Sequence, residues 1–156
     1  MAPKAHRSFS LFNNFAHAKR SEVSPITSAV LKRYAPFSDI FLCYLDGELL
    51  CGHLNLVDWE AKRSRLIFSA SQRLEHKEKA RTCAIMNCYL HWHEMRTYRE
   101  QGLSTYDLGG FSNGTNAGID KFKVSFGGAI FNEHTYLCAG FPRLARLFVN
   151  RRYGKS

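Results

Sequence analysis

No apolar run in this sequence approaches the roughly 20 residues that cross a bilayer, so no membrane-spanning helix is expected. The opening Met1-Ala-Pro-Lys-Ala-His-Arg7 lacks the apolar core of a secretory signal, and a cytoplasmic location is expected. No Cys-x-x-Cys pair occurs among Cys43, Cys51, Cys83, Cys88 and Cys138, and an odd number in apolar surroundings predicts buried free thiols rather than a disulfide framework. His76, His91 and His93 cluster along the chain, but no cysteine or carboxylate is read at a typical zinc spacing, so no metal is expected. Internal repeats and low-complexity stretches are also missing. Between residues 37 and 60 there is no Lys or Arg; the charges there are Asp39, Asp46, Glu48, Asp58 and Glu60.

What is present describes one ordinary folded domain. The 156 residues suffice for a single core, and 45% apolar with 22% charged residues is the usual globular balance. The net charge of +9 is concentrated in three places: Lys19, Arg20, Lys32 and Arg33; the stretch 62–81; and the tail 142–156. That asymmetry suits a polyanionic partner, whether cofactor phosphates, nucleic acid or an anionic membrane surface, and equally suits a solvated basic face.

Periodicity and punctuation set the element order. Residues 9–19 and 24–34 read as N-terminal helices, the second opened by Ser24-Pro25 and stopped before Pro36. Apolar runs 40–45 and 48–57, joined by Asp46-Gly47, predict a hairpin. His53 and Asn55 share one face of its second strand. Residues 65–71 form a third strand with Ser69 and Ser71 pointing the same way. The long helix of the chain covers 80–101, with Ile85, Cys88, Trp92 and Met95 as its core stripe, Asn87 and His91 on a flank, and Gly102 as its C-cap. A strand over 104–108, a helix over 118–126 and a strand over 129–138 complete the core at 40–138. The fold class is α+β, a mixed, mostly antiparallel sheet flanked by helices, with the parallel pair in the strand-helix-strand unit of residues 65–108.

That order resembles the GNAT acyltransferase fold, and the details resemble its FemABX-type branch. The resembling residues are Cys51-Gly-His-Leu-Asn-Leu-Val-Asp58, Arg65-Leu-Ile-Phe-Ser-Ala-Ser71, Asn87-Cys-Tyr-Leu-His-Trp92, Tyr106-Asp-Leu-Gly-Gly110 and Phe122-Lys-Val-Ser-Phe-Gly-Gly128. Together they cover most of residues 40–136, and the chain resembles a single-domain relative of a usually two-domain family. The resemblance implies two central strands splayed around the pantetheine arm of acetyl-CoA or another acyl-CoA, with the pyrophosphate at the following helix N-terminus. Residues 72–81, where that turn should fall, contain no glycine, a departure that fits a donor of the FemABX kind, an aminoacyl-tRNA.

Acyl transfer to an amine needs a base, a polarised carbonyl and close positioning. His53 is the first candidate base, since imidazole titrates near neutral pH; a hydrogen-bonded strand histidine is the alternative. Asp107, at a strand end, is the second candidate, or else it pairs with Lys123 or Arg73. Ser69, Ser71 and Arg73, with Asn87 and His91 on the facing helix flank, are candidates for the donor; Asn55, Tyr106 and Lys123 for the acceptor. The acceptor implied is an amine of a small metabolite, a glycan or a cell-envelope precursor, with the basic tail able to reach an anionic membrane. A catalytically silent GNAT-like module that binds nucleic acid or a protein is the second function class.

Overall fold

The computed structural model describes residues 10–14, 16, 27–74, 76–112, 114 and 116–133. The chain divides into two compact units, Met1–Gly110 and Phe111–Ser156. In the first, helix α1 (Ser28–Tyr34) precedes strands β1 (Ser38–Leu45), β2 (Glu48–Asp58) and β3 (Arg63–Ser71), the long helix α2 (Ala80–Glu100) and strand β4 (Thr105–Asp107). The second carries helix α3 (Ala117–Val124). The sheet order is β1-β2-β3-β4, antiparallel across the first three strands and parallel between β3 and β4.

Local chemistry places the boundaries. Asp46 (φ 51°) and Gly47 (φ 81°) both adopt left-handed backbone at the β1-β2 turn, which matches the twist of the strands they join. Helix α1 starts at Ser28 because Thr27 is extended and its hydroxyl accepts from Val30 N at 3.3 Å; the expected opening at Ser24-Pro25 lies outside the described residues. Helix α2 ends at Gly102 (φ 93°), where Gly102 N donates to Arg99 O at 3.0 Å and Leu103 N to Tyr98 O at 2.9 Å. Of the expected final strand, residues 129–133 are not in a strand, and 134–138 lie outside the described residues, as do Cys138 and the basic tail 142–156.

Two layers cover the sheet. On one face Leu54 and Ala70 pack with Leu11, Phe12 and Leu31, the first two of these last from the helical residues 10–14 and 16. Gly52 belongs to this face: a Cβ there would meet Leu42 Cδ2 at 2.8 Å, Leu11 Cδ2 at 3.2 Å and the Phe41 carbonyl at 3.3 Å. Gly52→Val is expected to destabilise the fold by about 1–3 kcal/mol through overpacking, and Gly52→Ala by less, because the flexible end of Leu42 can turn away. Urea midpoints of the two variants check the order; equal midpoints would contradict this packing.

Helix α2 covers the other face, and its orientation differs from the sequence expectation. Ile85 and Trp92, expected in the core, are 58% and 55% exposed, whereas Cys83, Leu90, His91, Glu94 and Tyr98 are buried. Apolar periodicity favoured the stripe 85/88/92/95. The sheet decides otherwise, because β2 presents His53 and Asn55 to this face, and buried polar groups are stable only with partners. The helix therefore turns its polar residues inward.

Candidate active site

Strands β3 and β4 pair over three positions only: Arg63 with Thr105, Ser64 with Tyr106 and Arg65 with Asp107. Beyond Arg65 no described residue joins β3 on that side, so among the described residues the backbone N–H and C=O groups of 66–71 on that edge have no strand partner. A bulge lies in the same stretch, since Leu54 faces Phe68 but Asn55 faces Leu66, leaving Ile67 as the extra residue. Bulges bend a strand and re-aim its backbone groups.

This edge leads to the start of α2 through two 3-10 turns, Gln72–Leu74 and Lys77–Lys79. The helix has no side-chain cap and no acidic residue in its first turn, although the 3-10 turn that runs into it carries Glu78 and Ala80 N already donates to Lys77 O; what an anion would meet there is the remaining first-turn N–H groups and the positive dipole end. Lys79 is committed elsewhere: its Nζ lies 2.5 and 2.7 Å from the Glu48 carboxylate oxygens, and that hydrogen bond is the main cause of its raised pKa. Arg73 and Arg81 are exposed at this end.

Asp107 clamps the paired start of the two strands. Its Oδ2 accepts from Arg63 Nη2 at 2.5 Å and lies 3.5 Å from Arg65 Nε, while Oδ1 accepts from Gly109 N at 2.8 Å. Its partners are thus the two β3 arginines beside it, not Arg73. Gly109 (φ 77°) takes the chain out of the strand in a conformation that a Cβ disfavours.

Five of the residues singled out from sequence meet beneath α2, around one that was not. Glu94 Oε1 accepts from His53 Nδ1 at 2.7 Å; Glu94 Oε2 accepts from Asn55 Nδ2 at 3.0 Å and from the Tyr106 hydroxyl at 2.5 Å. Tyr106 in turn accepts from His91 Nδ1 at 2.9 Å. Burial, followed by the Glu94 charge, raises the Tyr106 pKa, so the phenol stays protonated and remains the donor. His53 Nε2 lies 3.0 Å from Asn87 Oδ1; an oxygen there calls for a second ring proton, and the amide turned over suits a neutral ring. The His53 and His91 rings lie with centroids 4.2 Å apart, tilted at 38° to one another. His53, Asn55 and Glu94 are fully buried. The missed signal was helical spacing: Asn87, His91 and Glu94 fall at i, i+4 and i+7, one polar face of α2.

The remaining candidates are not in this cluster. Ser69 is exposed on β3 opposite His53, and Ser71 is at the buried end of the same strand. Lys123 belongs to the second unit, where it helps hold down the pKa of Asp120. That carboxylate accepts from Ser112 N (2.8 Å), Ser112 Oγ (2.6 Å) and Gly114 N (2.9 Å). Burial alone would raise the Asp120 pKa, but the Ser112 and Gly114 hydrogen bonds outweigh it and the net shift is downward. A depressed folded-state pKa contributes stability that is present above the ordinary carboxylate range and lost as pH falls through the folded value. The Ser112 and Gly114 amide signals are accordingly expected to shift cooperatively below about pH 4, and Asp120→Asn to abolish that transition in an NMR titration.

No family model and no curated protein matches the chain. Solved structures do. An aminoglycoside acetyltransferase from an uncultured soil metagenomic sample, in complexes with trehalose and with sisomicin, is 14% identical with a TM-score of 0.59, over 87% of this chain and 88% of that one. A probable acetyltransferase is 13% identical with a TM-score of 0.59, over 88% and 93%. A possible acetyltransferase from Clostridium difficile 630 is 11% identical with a TM-score of 0.56, over 88% and 94%. At these identities the likeness shows the fold, which is that of the GNAT acetyltransferases.

Proposed function

We propose that this chain is a GNAT-fold N-acyltransferase that takes an acyl group from an acyl-CoA thioester and passes it to an amine. The observation that carries the reading is the early parting of β3 and β4, which leaves the bulged edge 66–71 open and pointing toward the uncapped start of α2. An extended pantetheine arm suits such an edge, because its amides pair with strand backbone as another strand would. Its pyrophosphate suits the helix N-terminus and the cations Arg73 and Arg81.

The amine nitrogen attacks the thioester carbonyl, the C–N bond forms, the C–S bond breaks, and the proton that the nitrogen loses passes through solvent to the departing thiolate, which leaves as the thiol. A β3 backbone N–H re-aimed by the bulge polarises the acyl oxygen. The reading gives the base role to neither His53 nor Asp107, since protein partners already occupy both: Glu94 and Asn87 the first, Arg63, Arg65 and Gly109 the second. The rate is then expected to follow the titration of the acceptor amine itself. The acceptor is a small-molecule or glycan amine.

The glycine-free turn 72–81 and the resemblance to the FemABX-type branch make an aminoacyl group on tRNA the alternative donor. Titrating the full chain with acetyl-CoA and with RNA, read by amide shifts, separates the two. Saturable acetyl-CoA binding that perturbs residues 66–71 supports the acyl-CoA reading. Binding of RNA alone, abolished by moderate salt, transfers it to the tRNA donor or a nucleic-acid module, and binding of neither overturns both.

A further inference from the structure

We infer that His53, His91 and Glu94 form a binding site for a divalent transition metal, zinc being the ion their chemistry suits best. Acyl transfer as proposed above uses none of the three. Each offers one ligand atom, and these atoms lie within 4.8 Å of one another in a site that excludes water. Two imidazoles and a carboxylate are a donor set for zinc and its neighbours, whereas magnesium and calcium favour oxygen alone.

The distance between His53 and Glu94 requires little movement. Metal bonds of about 2.0–2.1 Å at a tetrahedral angle place ligand atoms about 3.3 Å apart. His53 Nδ1 and Glu94 Oε1 are 2.7 Å apart, so an ion enters if they separate by less than about 1 Å, the bridging proton leaving to solvent. His91 and Glu94 stand three apart on α2, one turn of one helical face, and His53 comes from the rigid centre of β2.

The surroundings match what orients metal ligands elsewhere. Ligating histidines and carboxylates are held by hydrogen bonds from outside the coordination sphere; here Tyr106 bonds His91 Nδ1 and Glu94 Oε2, and Asn55 Nδ2 bonds Glu94 Oε2. One buried oxygen beside this shell also stands without a described partner, as does the Tyr98 hydroxyl that it neighbours. Asn55 is fully buried, yet its Oδ1 has no hydrogen-bond partner among the described residues. Buried carbonyl oxygens seldom remain unpaired, and this one belongs to a side chain already bonded to the proposed ligand Glu94.

The test uses the full chain, stripped with a chelator and titrated with zinc or cobalt(II). About one tightly held ion per chain, tetrahedral cobalt absorption and displaced His53 and His91 ring-nitrogen signals are expected. Glu94→Gln should lose the ion, Tyr106→Phe should bind about 10–100-fold more weakly, and His76→Asn and His93→Asn should bind as the parent does. Should Glu94→Gln fail to fold, the ring-nitrogen signals of the parent decide alone. A folded parent that takes up no ion, an ion that leaves the His53 and His91 signals unmoved, or an ion lost in His76→Asn overturns the site. None of these results depends on acyl transfer, so the two readings stand or fall separately.

Discussion

Replacing Glu94 with Ala is expected to lower the unfolding free energy by about 3–5 kcal/mol, since three buried donors lose their acceptor and each unmet donor costs about 1–3 kcal/mol. The carboxylate accepts three hydrogen bonds, from His53, Asn55 and Tyr106. Alanine leaves these donors facing one another where water does not reach, and an unmet buried donor costs its full desolvation penalty. Ile85→Ala, in contrast, should change stability by no more than about 0.5 kcal/mol, because that side chain is mostly exposed. The apolar stripe read from sequence predicts the reverse ranking. Urea unfolding with an unchanged m-value decides between the two, and a Glu94 variant as stable as the parent would remove the network from any structural role.

Reversing both charges at the start of α2, in Arg73→Glu with Arg81→Glu, is expected to weaken acetyl-CoA binding about 100-fold or more. A hydrogen bond to a charged group contributes about 1.5–3 kcal/mol, and each 1.4 kcal/mol is about tenfold. Both side chains are exposed, so the fold should be untouched. Lys79→Ala should weaken the donor less, because Glu48 already holds that ammonium. Calorimetric titration at low and moderate salt gives both comparisons, and retention of parent affinity by the double variant would sink the phosphate placement.

Much of the frame was legible because local chemistry acts over a few residues. Asp46-Gly47 specified its hairpin through two left-handed positions, Gly102 its helix end, and Asp107 with Gly109 the abrupt close of β4. Boundaries drifted where a competing local group intervened, as at Thr27, whose cap starts α1 at Ser28. His53, Asn55, Asn87, His91 and Tyr106 were each singled out for their chemistry, and they do come together; Glu94, which joins them, was passed over. A glutamate in a helix ordinarily reads as a solvated charge, and only its neighbours across the sheet make it otherwise.

The sequence by itself determined the element order, the turns and the polar residue types, since each depends on backbone sterics and side-chain identity within a few positions. Which face of α2 meets the sheet was decided only in the tertiary structure. Apolar periodicity and polar complementarity gave that helix two incompatible faces. The cost of leaving His53 and Asn55 buried without partners outweighs the gain from burying Ile85 and Trp92.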